Sequence, residues 1–208
     1  MYNLTEFRYK GIKMRKSIIT ALLAIGIAFF ATGCSTMHMG WTAVTGQHKL
    51  DDGAMDAYDA MFTEVVEHGD PARAMMKEYK VAEDITGDDV KESITALAEE
   101  YNMRVTGYVK MFTKEDAKPN EVKEARIWSL CSLHIAKVFL NYSRYFGGFM
   151  PCRIMYVQYG NGDAYLITMD LTLAIHGGYP LPDEMAELAA KVKVAMEEIP
   201  ARAANGDF

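Results

Sequence analysis

The sequence has few cysteines and lacks the short motifs that identify many enzymes. Its 208 residues include three cysteines and five histidines. It contains no C-x-x-C pair, no P-loop, no H-E-x-x-H and no G-x-G-x-x-G after a predicted strand. No Ser-His-Asp order can be picked out either. These absences favour a protein that binds something over one that catalyses a well-known reaction.

The sequence also lacks an apolar run long enough to cross a membrane comfortably. The run at residues 18–30 has 13 residues, whereas a helix that spans the bilayer needs about 20. The basic residues 15–16 precede this run, and the small residues 31–33 follow it. This arrangement predicts an export signal over residues 1–33, with Met14 as the true start. The alternative is an uncleaved signal anchor.

The small residues before Cys34 resemble a bacterial lipobox, although Ala31 stands where leucine is commoner. The resemblance implies diacylglycerol on the Cys34 sulfur, cleavage after Gly33 and acylation of the new N-terminus. Each methylene of such a chain contributes about 0.8 kcal/mol to membrane binding. We therefore expect an anchored protein of the bacterial cell envelope that faces the periplasm. Ser35, rather than an aspartate, follows the cysteine, which favours sorting to the outer membrane.

An excess of positive charge is missing as well. Removing residues 1–33 takes away five of the 22 basic residues and one of the 28 acidic residues, so the formal charge changes from −6 to −10. A surface with this charge repels phosphate backbones, and no basic stripe offsets it. Nucleic acid is therefore not expected as a partner.

The organisation of the chain follows from its composition and periodicity. Residues 34–53 are rich in Ser, Thr, Gly and His and predict a lipid-anchored tether. Residues 54–74 predict a helical appendage, 75–200 a folded domain and 201–208 a tail. Asp51 or Asp52 is expected to cap the appendage helix. The apolar face of that helix would carry Met55, Tyr58, Met61, Phe62, Val65 and Val66.

The domain is predicted to be α+β, with a single sheet on which helices pack. The predicted order is β-α-β-β-α-β-β-α, preceded by the extra N-terminal helix. Thr86 and Asp89 resemble a capping box at the start of a helix. The Gly160–Asp163 stretch predicts a tight turn between two strands. A further strand is predicted from an alternation that places four residues on its buried side, namely Met103, Val105, Val109 and Met111.

Two motifs resemble the bacterial family known as domain of unknown function 302. They are "WSLCSLHIAKVFL" and "GGFMPCRIMYVQYGNGDAYLITMD". The positions that carry the resemblance are Cys131, Ala136, Pro151, Cys152 and Asp170. The departures from the family pattern are Ser132, Leu133 and Met150. The resemblance covers roughly residues 75–200 and implies a small α+β fold and self-association, and the family brings no established activity.

The thiols of Cys131 and Cys152 form a candidate site. They are the remaining thiols once Cys34 is lipidated, and an oxidising periplasm tends to join close thiols. A bridge across this separation would contribute about 3 kcal/mol and would require Cα atoms within about 7 Å of each other. Two alternatives stay open: separate buried thiols, and a pair that handles thiols, sulfur or a metal.

Two weaker patterns point to metals. Cys131 and His134 have a C-x₂-H spacing that, with Cys152 and His176, could complete a zinc or copper site. An exposed helix histidine is the simpler explanation.

The other pattern is Met37, His38 and Met39, whose thioether and imidazole donors suit copper(I). Since the chain has 15 methionines, this grouping can also be a consequence of composition.

Arg153, Asp170 and His176 lie near each other in the sequence around the paired strands. A guanidinium, a carboxylate and an imidazole can orient a small anion or move a proton, or they can be a surface ion pair and a loop residue. We expect a binding or accessory module for a small ligand or an envelope protein partner. The rival is thiol, sulfur or metal chemistry at Cys131 and Cys152.

Overall fold

The computed structural model describes residues 34–208, so the predicted signal region at 1–33 lies outside the described residues. The chain divides into two compact units between Lys49 and Leu50. In the first unit, helix α1 spans Cys34–Gly46 and a 3₁₀ turn spans Gln47–Lys49. Most of the predicted tether is therefore helical, although its sequence has no clear helical periodicity.

The second unit is built on a five-stranded antiparallel sheet with the strand order β1-β5-β4-β3-β2. The strands are β1 Met76–Lys80, β2 Arg104–Thr113, β3 Val122–Cys131, β4 Cys152–Tyr159 and β5 Ala164–Met169. The predicted α+β class with one sheet is confirmed.

Five α-helices accompany the sheet in this unit. They are α2 Ala54–His68, α3 Gly87–Glu100, α4 Leu133–Tyr142, α5 Thr172–His176 and α6 Asp183–Ala203. Two 3₁₀ segments, Arg73–Met75 and Arg144–Phe149, precede β1 and β4. No helix in the described part of the chain is both long and apolar enough to cross a membrane. The short helix α5 was not predicted.

Helices α3 and α6 pack on the same face of the sheet. The predicted capping box at the start of α3 is present, because the Thr86 hydroxyl accepts from the Asp89 amide while the Asp89 carboxylate accepts from the Thr86 amide. The helix then contributes a fully buried stripe that contacts α6 and the strands. This core includes Val90, Ile94, Leu97, Trp128, Leu130, Ile154, Leu166, Met196 and Ile199.

The other face of the sheet, which we call the open face, carries the alternate side chains of the same strands. Much of it is apolar, although most of its side chains are half-buried or exposed, and its charged members include Glu78, Lys80, Arg104 and Arg153. Its apolar members are Met76, Val109, Phe112, Ile127, Met155, Val157, Ile167 and Met169. An antiparallel sheet with one solvated face usually carries polar residues there, so this composition requires an explanation.

The predicted burial pattern of β2 is wrong in its second half. A bulge shifts the register between Val105 and Gly107, and one extra residue exchanges the two faces of a strand. Tyr108 therefore turns to the core, with its ring centroid 5.2 Å from that of Trp128. Val109 and Met111, predicted as buried, are 54% and 51% exposed.

Helix α2 belongs to the same compact unit as the sheet. It contacts the domain through small residues, since Ala54 and Ala57 are buried, and much of its predicted apolar face is exposed. The Tyr58 hydroxyl donates to the carbonyl of Gly177 at 2.8 Å. Asp51 does not cap the helix through a direct side-chain bond, because its carboxylate accepts from the amide of Gly53.

Helix α6 continues beyond the predicted end of the domain. Pro200 lies inside it, and the helix ends at Ala203. Ala203 and Ala204 are buried in the main core. The segment predicted as a tail therefore contributes to the core.

Arg126 joins the start of α3 to the sheet. It lies on the core face of β3 and is only 4% exposed. Its guanidinium donates to the carbonyl of Gly87 at 2.7 Å and to the carboxylate of Asp88 at 2.5 Å, and it also contacts the carboxylate of Glu124. Lys110 contacts Glu124 from the other side, with a distance of 2.9 Å between nitrogen and oxygen. The buried charge is thus surrounded by acceptors.

The titration of these groups follows from burial and from their partners. Burial raises the pKa of Glu124, but the hydrogen bonds from Arg126 and Lys110 outweigh it, and the pKa lies below its ordinary value. The hydrogen bond from Arg126 likewise lowers the pKa of Asp88. The cluster is therefore held in its ionised form at neutral pH.

Replacing Arg126 should destabilise the domain strongly. We expect Arg126→Met to lower the free energy of unfolding by about 3–5 kcal/mol, because the buried Glu124 loses its buried partner and keeps only the half-exposed Lys110. Urea denaturation measures the change. Arg73→Met is the control and should cost less than about 1 kcal/mol, since the Arg73 side chain makes only an exposed contact with Glu64 among the described residues.

A double variant separates charge from packing. Adding Glu124→Gln to Arg126→Met should recover part of the loss, because the buried carboxylate that has lost the guanidinium is then gone. Equal stability of Arg126→Met and the wild type would contradict this account of the cluster.

Candidate functional site

Cys152 begins strand β4 directly after a cis peptide bond between Met150 and Pro151. In the β3–β4 pairing it lies opposite Leu130, which is fully buried. Opposite residues of an antiparallel pair point to the same face. The side chain of Cys152 therefore packs partly buried against the main core.

Cys131 lies one residue beyond Leu130 at the end of β3. Because side chains alternate along a strand, Cys131 belongs to the open face and Cys152 to the core face. Both are free thiols, so the predicted disulfide between them is not formed in the structure. The strands are adjacent, as expected, but the alternation separates the sulfurs.

Both thiols are poorly disposed to ionise. Burial, with a smaller contribution from the neighbouring Cys131, raises the pKa of Cys152 to about 11. Burial also raises the pKa of Cys131. Since the thiolate is the nucleophile and the metal ligand, neither cysteine is activated at neutral pH.

A cavity of about 290 Å³ lies where β4 begins and β5 ends, and we call it the open-face cavity. Its lining is apolar apart from one arginine and one threonine. Six lining residues lie on the open face, namely Met76, Ile127, Arg153, Met155, Ile167 and Met169. The others belong to the adjoining segments and the core, and they are Phe149, Pro151, Cys152, Thr168, Leu171 and Met196.

A second cavity of about 70 Å³ has an entirely apolar lining. It lies among α4, the 3₁₀ segment before β4, α5 and α6, where a second core cluster forms around Phe139 and Met185. Phe149, Cys152 and Leu171 line both cavities. Cys152 thus stands in the wall between them, as an apolar lining group.

The comparisons with known proteins identify the domain. A family model described as "Domain of unknown function DUF302" matches residues 70–199. The chain belongs to the DUF302 family. The predicted resemblance is thereby confirmed, and the lipid anchor stays a prediction.

Three solved chains match this DUF302 chain. One of them is titled "Crystal structure of uncharacterized conserved protein DUF302 from Bacillus stearothermophilus". The two sequences are 15% identical, the match covers 62% of this chain and 98% of that chain, and the TM-score is 0.48. No curated protein matches the chain.

The DUF302 domain does not bring the predicted zinc or copper ligands together. His134 is exposed on α4. Among the described residues, Cys131, His134 and Cys152 do not form a group of ligand atoms within 4.8 Å of one another.

Such a group occurs instead on α2, at Glu64, Glu67 and His68. It was not predicted, although the helical spacing of these residues could have shown it. Glu64 already contacts His68 and Arg73, each at 3.5 Å.

Met37, His38 and Met39 lie on α1, outside the DUF302 domain, and their side chains are exposed. Consecutive residues of a helix point in different directions, about 100° apart. The helix therefore does not direct these three donors to one ion.

Asp170 and His176 each have a partner other than Arg153. Asp170 accepts from the amide of Thr172 at 2.8 Å, and Nδ1 of His176 lies 2.9 Å from the carboxylate of Asp51. Arg153 is exposed and is the member of this set that lines the open-face cavity. The binding group predicted from their spacing is therefore reduced to Arg153.

The apolar lining of the open-face cavity was missed by the sequence analysis. Ile127, Met155 and Ile167 lie in one row across β3, β4 and β5. A period of two in each strand places them opposite the buried side of the sheet. That alternation, followed through all three strands, could have shown an apolar face without a helical cover.

The thiols of the DUF302 domain should react slowly with alkylating reagents. In a Cys34→Ser chain at about pH 8, we expect iodoacetamide to modify Cys152 much more slowly than a free cysteine, because the thiolate fraction is small. Mass spectrometry of the labelled peptides measures the rates. In urea both cysteines should react at the ordinary rate. Rapid modification of folded Cys152 would contradict the raised pKa.

Proposed function

We propose that this DUF302 protein is a lipid-anchored binding module of the bacterial cell envelope whose open-face cavity holds a small molecule with an apolar body. The observation that carries the proposal is the composition of the cavity lining, in which Arg153 is the one charged residue. Ligand sites typically combine an apolar lining with a few polar groups that orient the ligand.

The size of the open-face cavity supports a small ligand. Its volume of about 290 Å³ is near the lower end of ligand pockets, roughly 300–1,000 Å³. Apolar area removed from water contributes about 25 cal/mol per Å². Four lining residues are methionines, namely Met76, Met155, Met169 and Met196, and their flexible thioether chains adapt to ligands of different shape.

The anchor part of the proposal rests on the sequence around Cys34. The lipid would hold the module at the membrane, facing the periplasm on the outer membrane. A binding module at this position fits an accessory role to another envelope protein, or a role as an assembly of several copies. Small apolar molecules are concentrated at membranes, which agrees with the lining of the cavity.

Thiol, sulfur or metal chemistry is the second candidate. It is favoured by the place of Cys152 in the walls of both cavities. It receives less support than binding, because burial raises the pKa of both thiols. Within residues 34–208, neither thiol has a hydrogen-bonded base that could activate it.

The anchor is tested by replacing the acylated cysteine. The wild-type protein should partition with membranes, and Cys34→Ser should leave it unprocessed or soluble, because the sulfur that carries the lipid is gone. Fractionation and mass spectrometry of the N-terminus measure the outcome. Cys131→Ser should not change the partitioning. A soluble wild-type protein cleaved at another position would contradict the anchor.

The cavity is tested with a neutral apolar probe. Decan-1-ol should bind the wild-type chain, and Ile167→Gln should weaken it by about fivefold, because a polar amide in the lining opposes burial of the chain. Isothermal titration measures the affinity. The control is Leu133→Gln, which changes an exposed residue of α4 outside this lining. Equal binding to both variants would contradict the proposed site.

A further inference from the structure

We propose that the open-face cavity takes an amphipathic anion and that Arg104 and Arg153 hold its acidic head group. This inference rests on the proposed function and names the class of ligand. The apolar body lies in the cavity, and the head group lies beside it on the open face over Ser129. The head group is a carboxylate.

The register of the strands places these four groups together. Arg104 on β2 lies opposite Cys131 on β3, and Arg153 on β4 lies opposite Ser129 on β3. All four belong to the open face, because their neighbours Met103, Leu130 and Ile154 are buried in the core. Two strand spacings, about 10 Å, and an offset of two residues along β3, about 7 Å, separate the two arginines, so their backbones lie roughly 12 Å apart. Long side chains from β2 and β4 can therefore both reach an anion above β3.

Gly107 leaves the space that such an anion needs. It lies opposite Ser129 in the β2–β3 pairing. A Cβ built on Gly107 would meet the side chain of Ser129 at 3.7 Å, which is ordinary contact. The open face therefore has no side chain beside Ser129 on β2, and its hydroxyl can donate to a ligand.

The two arginines lack the carboxylate partners that three other described arginines have. Arg73, Arg126 and Arg202 contact carboxylates. Arg104 and Arg153 form no ion pair with any described residue, although the chain carries 28 acidic residues. A guanidinium binds a carboxylate through two parallel hydrogen bonds. Two unpaired guanidiniums on an acidic protein are complementary in charge to an anionic ligand.

The position of the ligand's apolar body is inferred from the next row of side chains on the open face. Ile127 and Met155 lie opposite each other, two residues along from Ser129 and Arg153. They line the open-face cavity together with Ile167. A molecule whose acid lies at the arginines would therefore extend its hydrocarbon part along this row. The cavity volume of about 290 Å³ corresponds to roughly ten water-sized volumes, which suits a medium-length chain.

The test compares a charged probe with a neutral one of the same length. Isothermal titration of the full-length chain with decanoate, kept below its micelle-forming concentration, should give tighter binding than decan-1-ol. Arg104→Gln and Arg153→Gln should each weaken decanoate about tenfold, because a charge-assisted hydrogen bond is lost. Arg104→Gln should not alter the affinity for decan-1-ol, because Arg104 lies outside the cavity lining.

The matched control is Arg144→Gln. Arg144 is also exposed and contacts only Tyr145 among the described residues, but it lies off the sheet. Arg144→Gln should leave decanoate binding unchanged, and this result would exclude a general effect of the net charge of the protein. Gly107→Val should weaken decanoate while the chain stays folded by circular dichroism, because the added side chain occupies the space beside Ser129.

The other outcomes overturn the inference in distinguishable ways. Equal affinities for decanoate and decan-1-ol, with no effect of either arginine, would remove the head-group site and leave the proposed function standing. Binding of neither probe would overturn both. The wild-type chain could also be a dimer that Ile127→Arg converts to a monomer, with neither form binding decanoate. This result would show that the open face is an interface between two copies of the chain.

Discussion

The pairing of Leu130 with Cys152 between the two central strands is the constraint on which the rest of the domain depends. Since side chains alternate along each strand, this register sends Trp128, Leu130 and Ile154 to the helices α3 and α6. It also sends Ile127, Ser129 and Met155 to the opposite face. A shift by one residue would exchange the two sets. The register therefore sets both the core and the candidate binding surface.

The two faces of the sheet differ in how they satisfy their charged groups. On the core face, Arg126 is buried and surrounded by Glu124, Asp88 and the carbonyl of Gly87. A buried charge is tolerated only with such partners. On the open face, Arg104 and Arg153 are exposed and have no carboxylate among the described residues. All the charged partners of Arg126 lie within the fold, whereas Arg104 and Arg153 remain available to bind a ligand.

Sequence patterns predicted the elements better than the contacts between them. The capping box at Thr86 and the strands on either side of Gly162 depend on residues only a few positions apart, so they can be predicted from the sequence. The bulge before Gly107 and the burial of Arg126 depend on partners distant in sequence, and Asp88 lies 38 residues before Arg126. Adjacent strands were foreseen for the two cysteines, but the single-residue offset that places them on different faces was not.

The central claim is that the open face of the sheet binds an amphipathic anion, and methyl NMR tests it most directly. In a chain labelled at the methionine methyl groups, added decanoate should shift the signals of Met76, Met155 and Met169, which line the open-face cavity. The signal of Met185, buried in the second core cluster, should stay unchanged. Shifts that leave Met76, Met155 and Met169 unaffected, or no shifts at all, would contradict the account.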